Sequence, residues 1–451
     1  MMYQNFHHGP LVRVDRYHVP INQKFLRDIA KLEIVYMSLI SAGLRITGLG
    51  EDIGALASMP WNILLEEWPE DDSLAAQRGI SRHIVRLVRS SIDDNDIFAV
   101  KETVEEFAKR EYTILRELVQ RNAPSVGPVA VVQGRTNSAG EELPCALVTK
   151  FLPYSQPYRV ILSGSVTPTD ITNMANALAL LLVQLHLLGF WWGDCSLSNT
   201  LFRRDAESYA TYLVDAETGE FQKQLSDGQR EHDLDIARFN VAAELEDLKL
   251  AGTLHPAIDP IRSSEGVIRR YRRLWAALKE PQYLDPNDRH AVERAMRSLQ
   301  DLGFAVEEVE IKLDGDRHQL RFRPKLVEAG YHKQRLSTLT GIQAEELQAK
   351  RLLASLDRYR SRLPEPRPPI EDVAKRWLID VYQKVISEIP TELRGRVEDA
   401  QVFHEVLEHR WYLGEEAGRD LGLDFATRSY MELVLPNRTD SGPGALKEII
   451  S

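Results

Sequence analysis

Between Met174 and Phe190 the chain reads MANALALLLVQLHLLGF, an apolar run broken only at Asn176, Gln184 and His186. It is too short and too interrupted to favour a transmembrane span. It reads instead as a helix buried in a core, which commits the chain to packing other elements around it. The run leads into FWWGDCSLSNTLF, Phe190 to Phe202, where a Gly-Asp pair follows two tryptophans and an Asn lies five residues beyond the Asp. Alone, this stretch is either a polar turn between buried segments or a catalytic loop.

A chain of 451 residues can bury at least two cores. With 43% hydrophobic and 27% charged residues it has the composition of an ordinary soluble protein. Its net charge of −11 argues against general nucleic-acid binding, although that sum hides any local basic patch. Cys145 and Cys195 are its two cysteines, too few for a disulfide framework or a cysteine-rich zinc site. A reducing cytoplasm is the simplest compartment. The opening MMYQNFHHGPLVRVDRYHVP lacks the continuous apolar core of a secretory signal.

Along the chain, FLRDIAKLEIVYMSLI has helix-like apolar spacing and precedes a glycine-rich connection. HIVRLVRS and DIFAVKE read as a hairpin about SIDDND, residues 104–122 as a helix, and CALVTKFL as a strand. NTLF and TYLVD can pair as strands around RRDAESYA. Beyond residue 230 helical spacing dominates, apart from a hairpin in AVEEVEIKLDGDRHQLRFRP about Asp314-Gly315. The prolines of SRLPEPRPPIED mark a linker, with a helical unit starting near Val373.

Four separated features carry chemistry when taken together. Lys101 ends the alternating strand IFAVK, which can fix an ammonium above a ligand cleft. On the following helix Phe107, Ile114, Leu115 and Leu118 define an apolar stripe that includes Glu111. A carboxylate there is costly to bury unless paired, and Lys101 is a suitable partner. Such a pair can hold the ammonium against the α- and β-phosphates of a nucleotide. Asp194, after Gly193, can orient or deprotonate an attacking hydroxyl. Asn199 can supply a neutral oxygen to Mg²⁺, and Asp215, ending TYLVD, can bridge metal and phosphates.

These residues resemble the protein-kinase-like fold over about residues 76–250. AVK matches the nucleotide-binding lysine, REYTIL the paired glutamate, GDCSLSN the catalytic Asp and metal-binding Asn, and LVDAE the metal-binding Asp. The resemblance implies a hinge in ALVTKFL, with Thr149 as gatekeeper and the backbone of Lys150 to Leu152 receiving adenine. It also implies that backbone amides near Gly79, with Ser81, contact phosphate. The stretches WGDCSLSNTLFRRD, YLVDAETGE, LSDGQREHDLDIARFN and FHEVLEHRWYL resemble more closely a bacterial family described as lipopolysaccharide-kinase-like.

The resemblance implies an α+β fold with a two-lobed protein-kinase-like core. Its parts are an N-terminal helical extension (1–75), a kinase-like N-lobe (76–152), a kinase-like C-lobe (153–300), a hairpin and helix region (301–363) and a C-terminal helical domain (364–451). The departures bear on the substrate. Trp192 replaces the usual catalytic-loop His, Ser196 the usual Lys, and Glu217 the usual Gly after the metal-binding Asp. Gly79 is the one glycine of GISRHIVRLV, and no APE segment follows.

Other signals have plainer readings. Asp233 or Asp235 can tie the loop by accepting backbone hydrogen bonds, or cap a helix in solvent. Cys195 and His186 read as packed structural residues. In HEVLEH the histidines are five apart, wrong for a zinc helix. RHQLRFRPKLVEAGYHKQR is locally basic and can meet an anionic ligand, although a solvated hairpin and helix edge is the simpler expectation. The expected activity is therefore an Mg-ATP-dependent kinase, a transferase acting on a hydroxyl of a small molecule, lipid or glycan. The alternatives are a nucleotide-binding pseudokinase whose C-terminal domain binds a macromolecule, and an enzyme that transfers AMP.

Overall fold

The structure is a computed structural model and describes residues 12–14, 36–41, 43–49, 53–69, 73–74, 84–90, 97–162, 167–285, 287–288, 290–314 and 319–438. The protein is α+β and divides into two compact units. Among the described residues, the first runs to residue 152 and takes in 213–220; the second holds 153–212 and 221–438.

The first unit is built on one antiparallel sheet. Its strands are β1 (Val12–Val14), β2 (Tyr36–Ser41), β3 (Leu44–Leu49), β4 (Ser73–Leu74), β5 (Val85–Arg89), β6 (Ile97–Thr103), β7 (Pro128–Gln133) and β8 (Cys145–Lys150). They lie in the order β1-β2-β3-β7-β8-β6-β5-β4. The short helix α1 (Ile53–Leu56) and the longer α2 (Glu105–Gln120) complete it. One sheet face carries a core of Ile46, Leu56, Trp61, Trp68, Val100, Val132 and Val148. β6 is central, pairing with β5 and β8, so Lys101 stands on a strand fixed from both sides.

The helical extension expected over 1–75 is corrected where the chain is described. Tyr36–Ser41, the end of the stretch with helical spacing, is a strand paired with β3 across the turn at Gly43. The glycine-rich connection holds β3 itself, which pairs with β7 through Arg45↔Gln133 to Gly48↔Ala130. Non-local pairing overrides local periodicity here, because a six-residue segment fits either period until a partner edge is available. Gly48 is required there, since a Cβ would lie 2.2 Å from the Val129 carbonyl oxygen. On α2 the buried stripe is Ala108, Glu111, Tyr112, Ile114, Leu115 and Leu118. Phe107, expected on it, is 45% exposed.

The second unit starts with β9 (Ser155–Gln156), α3 (Tyr158–Leu162) and α4 (Pro168–Leu187). α4 extends the apolar run at its start by nearly two turns, opened by a capping box in which the Thr167 side chain accepts from Asp170 N–H and Asp170 from Thr167 N–H. Leu178, Leu181, Leu182, Val183 and Leu185 are each at most 1% exposed, so the helix is buried on most sides. Then follow β10 (Phe190–Trp191), β11 (Thr200–Asp205), β12 (Ser208–Leu213), β13 (Glu220–Phe221), α5 (Asp227–Leu250) and α6 (Pro260–Lys279). The turn between β11 and β12 is tighter than RRDAESYA suggests. It is confined to Ala206 and Glu207, with Ala206 left-handed at φ 54°.

Beyond α6 come β14 (Gln282–Leu284), α7 (Ala291–Asp301) and the hairpin strands β15 (Phe304–Asp314) and β16 (Gln319–Ala329). The turn residue Gly315 lies outside the described residues. The last helices are α8 (Tyr331–Thr340), α9 (Glu346–Ser361), α10 (Ile370–Trp377), α11 (Lys384–Ser387), α12 (Asp399–Ala417) and α13 (Leu423–Leu433). The proline-rich stretch joins α9 to α10 within one core, where Leu352, Leu353 and Leu356 pack with Val373, Trp377, Phe403 and Tyr430. Among the described residues no helix is long and apolar enough to cross a membrane.

Candidate functional site

Two groups of residues concentrate the chemistry, one in each unit. In the first unit, β6 presents Lys101 toward α2 and toward the segment after β12. The Lys101 ammonium donates to Glu111 Oε2 at 3.0 Å and to Asp215 Oδ2 at 2.8 Å, and lies 3.5 Å from Glu217 Oε2. Glu111 is completely buried. Three elements far apart in sequence thus meet at one nitrogen. The turn is held by its own bonds: Glu217 N–H donates to Asp215 Oδ1 at 3.2 Å, and Arg110 donates to the Gly219 carbonyl at 3.1 Å.

Burial alone would lower the Lys101 pKa, but the charges and hydrogen bonds of Glu111 and Asp215 outweigh it and raise the pKa above that of an ordinary lysine. Burial pushes the Glu111 carboxyl the opposite way, up to about 7, with Asp215 adding to the push and Lys101 opposing it. Oxygens of Glu111, Asp215 and Glu217 lie within 4.8 Å of one another. Three carboxylates against one ammonium leave an excess of acid, and hard oxygen donors of this kind suit Mg²⁺.

In the second unit the loop Trp192–Asn199 is pinned by one face of α5. Asp233, Asn240 and Glu244 recur along it about two turns and then one turn apart, so all three point to the loop. The fully buried Asp233 accepts from Trp192 N–H at 2.9 Å and Gly193 N–H at 2.8 Å. Glu244 accepts from Leu197 N–H at 2.8 Å and Ser198 N–H at 2.9 Å. Asn240 donates to Asp194 Oδ1 and to the Cys195 carbonyl, both at 3.2 Å. Gly193 adopts φ 76°, a left-handed turn that favours glycine and brings the loop back under α5.

Asp194 and Asn199 are brought together. Asn199 Nδ2 donates to the Asp194 backbone oxygen and to Asp194 Oδ2, both at 3.0 Å. With its nitrogen so engaged, the Asn199 amide oxygen is the end of that side chain turned to other partners, the donor a hard cation requires. Ser196 serves the loop: its hydroxyl accepts from Asn199 N–H at 3.1 Å. Trp192 is fully buried.

His186 lies behind the loop. Its Nε2 is 3.1 Å from Asp233 Oδ2 and its Nδ1 is 2.7 Å from the Tyr271 hydroxyl. An ionised carboxylate can only accept, so Nε2–H donates to Asp233 and Nδ1 accepts from Tyr271. Burial depresses the His186 pKa and favours this neutral form. Asp235, the other candidate tie, is exposed and takes a bond from Arg238 instead. The Cys195 thiol is fully buried, and burial raises its pKa well above the ordinary value, the opposite of a nucleophile.

Gly79 and Ser81 lie outside the described residues. Lys150 ends β8 with its N–H donated to the Gly127 carbonyl at 2.7 Å, and Phe151 N–H donates to Ile97 at 2.9 Å. Thr149 and Leu152 are partly exposed. Asn240, Glu244 and the third carboxylate, Glu217, were not singled out as site residues from the sequence. The spacing of Asp233, Asn240 and Glu244 among buried Leu234, Ala237, Val241, Leu245 and Leu248 was a usable signal.

No curated protein matches this chain. A family described as a domain of unknown function, DUF4032, matches residues 273–435, downstream of every residue of both groups. Among solved structures, a chain described as WaaP in complex with acyl carrier protein is 15% identical with a TM-score of 0.31, over 51% of this chain and 88% of that one. A likeness that small leaves the reading of the site to its own residues.

Proposed function

We propose that the protein is an Mg-ATP-dependent phosphotransferase with a protein-kinase-like core, acting on a hydroxyl of a small molecule, lipid or glycan in the cytoplasm. The observation that carries this reading is the meeting of Glu111 and Asp215 at the Lys101 ammonium. That arrangement keeps a cation charged and positioned, as the phosphates of ATP require. Backbone groups of Lys150 and Leu152 receive the adenine; the assignment of Gly79 and Ser81 to the phosphates comes from the sequence, because both lie outside the described residues.

In this reading Asn199 and Asp215 would be the protein ligands of Mg²⁺, which would supply neutralisation of charge on the phosphates. Asp194, oriented by Asn199 and Asn240, accepts the proton of the acceptor hydroxyl. The hydroxyl oxygen forms the new bond to the γ-phosphorus, the bond from that phosphorus to the bridging oxygen breaks, and ADP leaves. Apart from that proton transfer, positioning and charge supply most of the catalysis.

One observation favours a second reading, a nucleotide-binding scaffold. Ser196 is turned into its own loop and offers no positive charge to a transferring phosphoryl group. Thermal denaturation with ATP, with and without Mg²⁺, tests the shared part of both readings. ATP is expected to raise the melting temperature only with Mg²⁺, and Asp215→Asn to abolish the shift. No shift in the wild-type protein contradicts both.

A further inference from the structure

The second unit carries a concentration of positive charge that the phosphotransfer chemistry leaves unused. Trp275 on α6 stacks on Tyr271, ring centroids 5.8 Å apart and planes within 10°. The Arg230 guanidinium of α5 lies 4.2 Å from the same indole and the Lys279 ammonium 5.9 Å from it. Arg323 lies on β16, which packs against α6. β14, directly after α6, pairs Gln282 with Phe322, which is fully buried, so alternation puts Arg323 on the exposed side.

Neither Lys279 nor Arg323 has a carboxylate partner among the described residues. Arg230 pairs with Asp227, whose side chain is 95% exposed. The nearby carboxylates are committed elsewhere: Glu231 to Arg272, and Glu310, opposite Arg323 in the ladder, to Lys312. Burial, followed by the positive charges of Arg323 and Arg230, lowers the Lys279 pKa. Like charges are held together here in a protein of net charge −11, and an anion offsets that repulsion.

We propose that Arg230 and Lys279, gathered around Trp275, together with Arg323 of the adjoining strand β16, form a binding site for a phosphorylated small molecule, using no residue of the Lys101 or Asp194 groups. The charge count selects the class. Three cations less the exposed Asp227 leave about two positive charges, which matches the roughly −1.5 to −2 of a phosphate monoester and exceeds a carboxylate. The guanidinium forks grip phosphate oxygens, and the indole packs the apolar part of the ligand.

The test is calorimetric titration of the full chain with glycerol phosphate, glycerol and vesicles containing phosphatidylglycerol. Saturable binding of glycerol phosphate is expected, absent for glycerol, weaker at high salt, and unchanged in Lys101→Met. Lys279→Gln and Arg323→Gln should each weaken it about tenfold or more, with circular dichroism melts reporting that the variants fold. Because Lys101→Met removes the nucleotide group, failure of the phosphotransferase reading leaves this result standing. The proposal is overturned by any of three outcomes: no saturable binding by folded wild-type protein, binding lost in Lys101→Met but kept in both glutamine variants, or binding to vesicles alone.

Discussion

At the scale of residues, the decisive balance is at Lys101, where one ammonium has three carboxylate neighbours. Removing it leaves Glu111 buried with two acidic neighbours and no cation, a far larger loss than an exposed ion pair would give. Lys101→Met should therefore destabilise the protein by about 3 kcal/mol in urea denaturation; a change within the range of surface substitutions would mean the pair is not buried as described. Lys101, Glu111 and Asp215 were legible as a set because their separate positions, a strand end, a buried helix stripe and another strand end, each left a charge in need of a partner. Glu217 was not legible as a neighbour of Lys101, since a glutamate in a polar turn has no anomaly until the turn's path is known.

At the scale of elements, α5 is the bracket of the Asp194 loop. Glu244→Ala removes the acceptor for two loop N–H groups, and is expected to cost about 2 kcal/mol in stability and to lower turnover. Equal stability of the variant and the wild-type protein in urea would contradict the role assigned to Glu244. The opposite face of the loop's hairpin is held with similar economy. Gln401 of α12 accepts from Ala206 N–H at 3.0 Å and donates to its carbonyl at 3.1 Å, and Asp205 caps α9 by accepting from Leu347 and Gln348 N–H at 3.1 and 2.8 Å. Such long-range caps leave no local pattern. The helices α2, α4 and α5 were readable from their apolar spacing, whereas β2 and β3 were not: β3 finds its second partner some eighty residues away in β7, and β2 joins the sheet only through β3 and β1.

At the scale of the whole molecule, the segment matched by DUF4032 is not a detachable appendage of the second unit. Its helices share one core on both sides of the proline-rich stretch, and its buried Gln348, Gln401 and Glu345 bond residues of the hairpin that follows Asn199. A chain ending at Leu363 would expose Leu352, Leu353 and Leu356, and should bind a hydrophobic dye and lose its cooperative melt. A sharp melt equal to that of the full chain would mean that the helices beyond residue 363 are dispensable for this core. For the proposed phosphotransfer, the route of the phosphorus atom is the central question. It is answered by incubating the protein and Mg²⁺ with ATP labelled at either the α- or the γ-phosphorus, together with hydroxyl acceptors from a fractionated cell extract. The account predicts transfer of the γ label, dependent on Mg²⁺ and reduced about a hundredfold or more in Asp194→Asn. Transfer of the α label, or binding of ATP with no transfer of either, would contradict it.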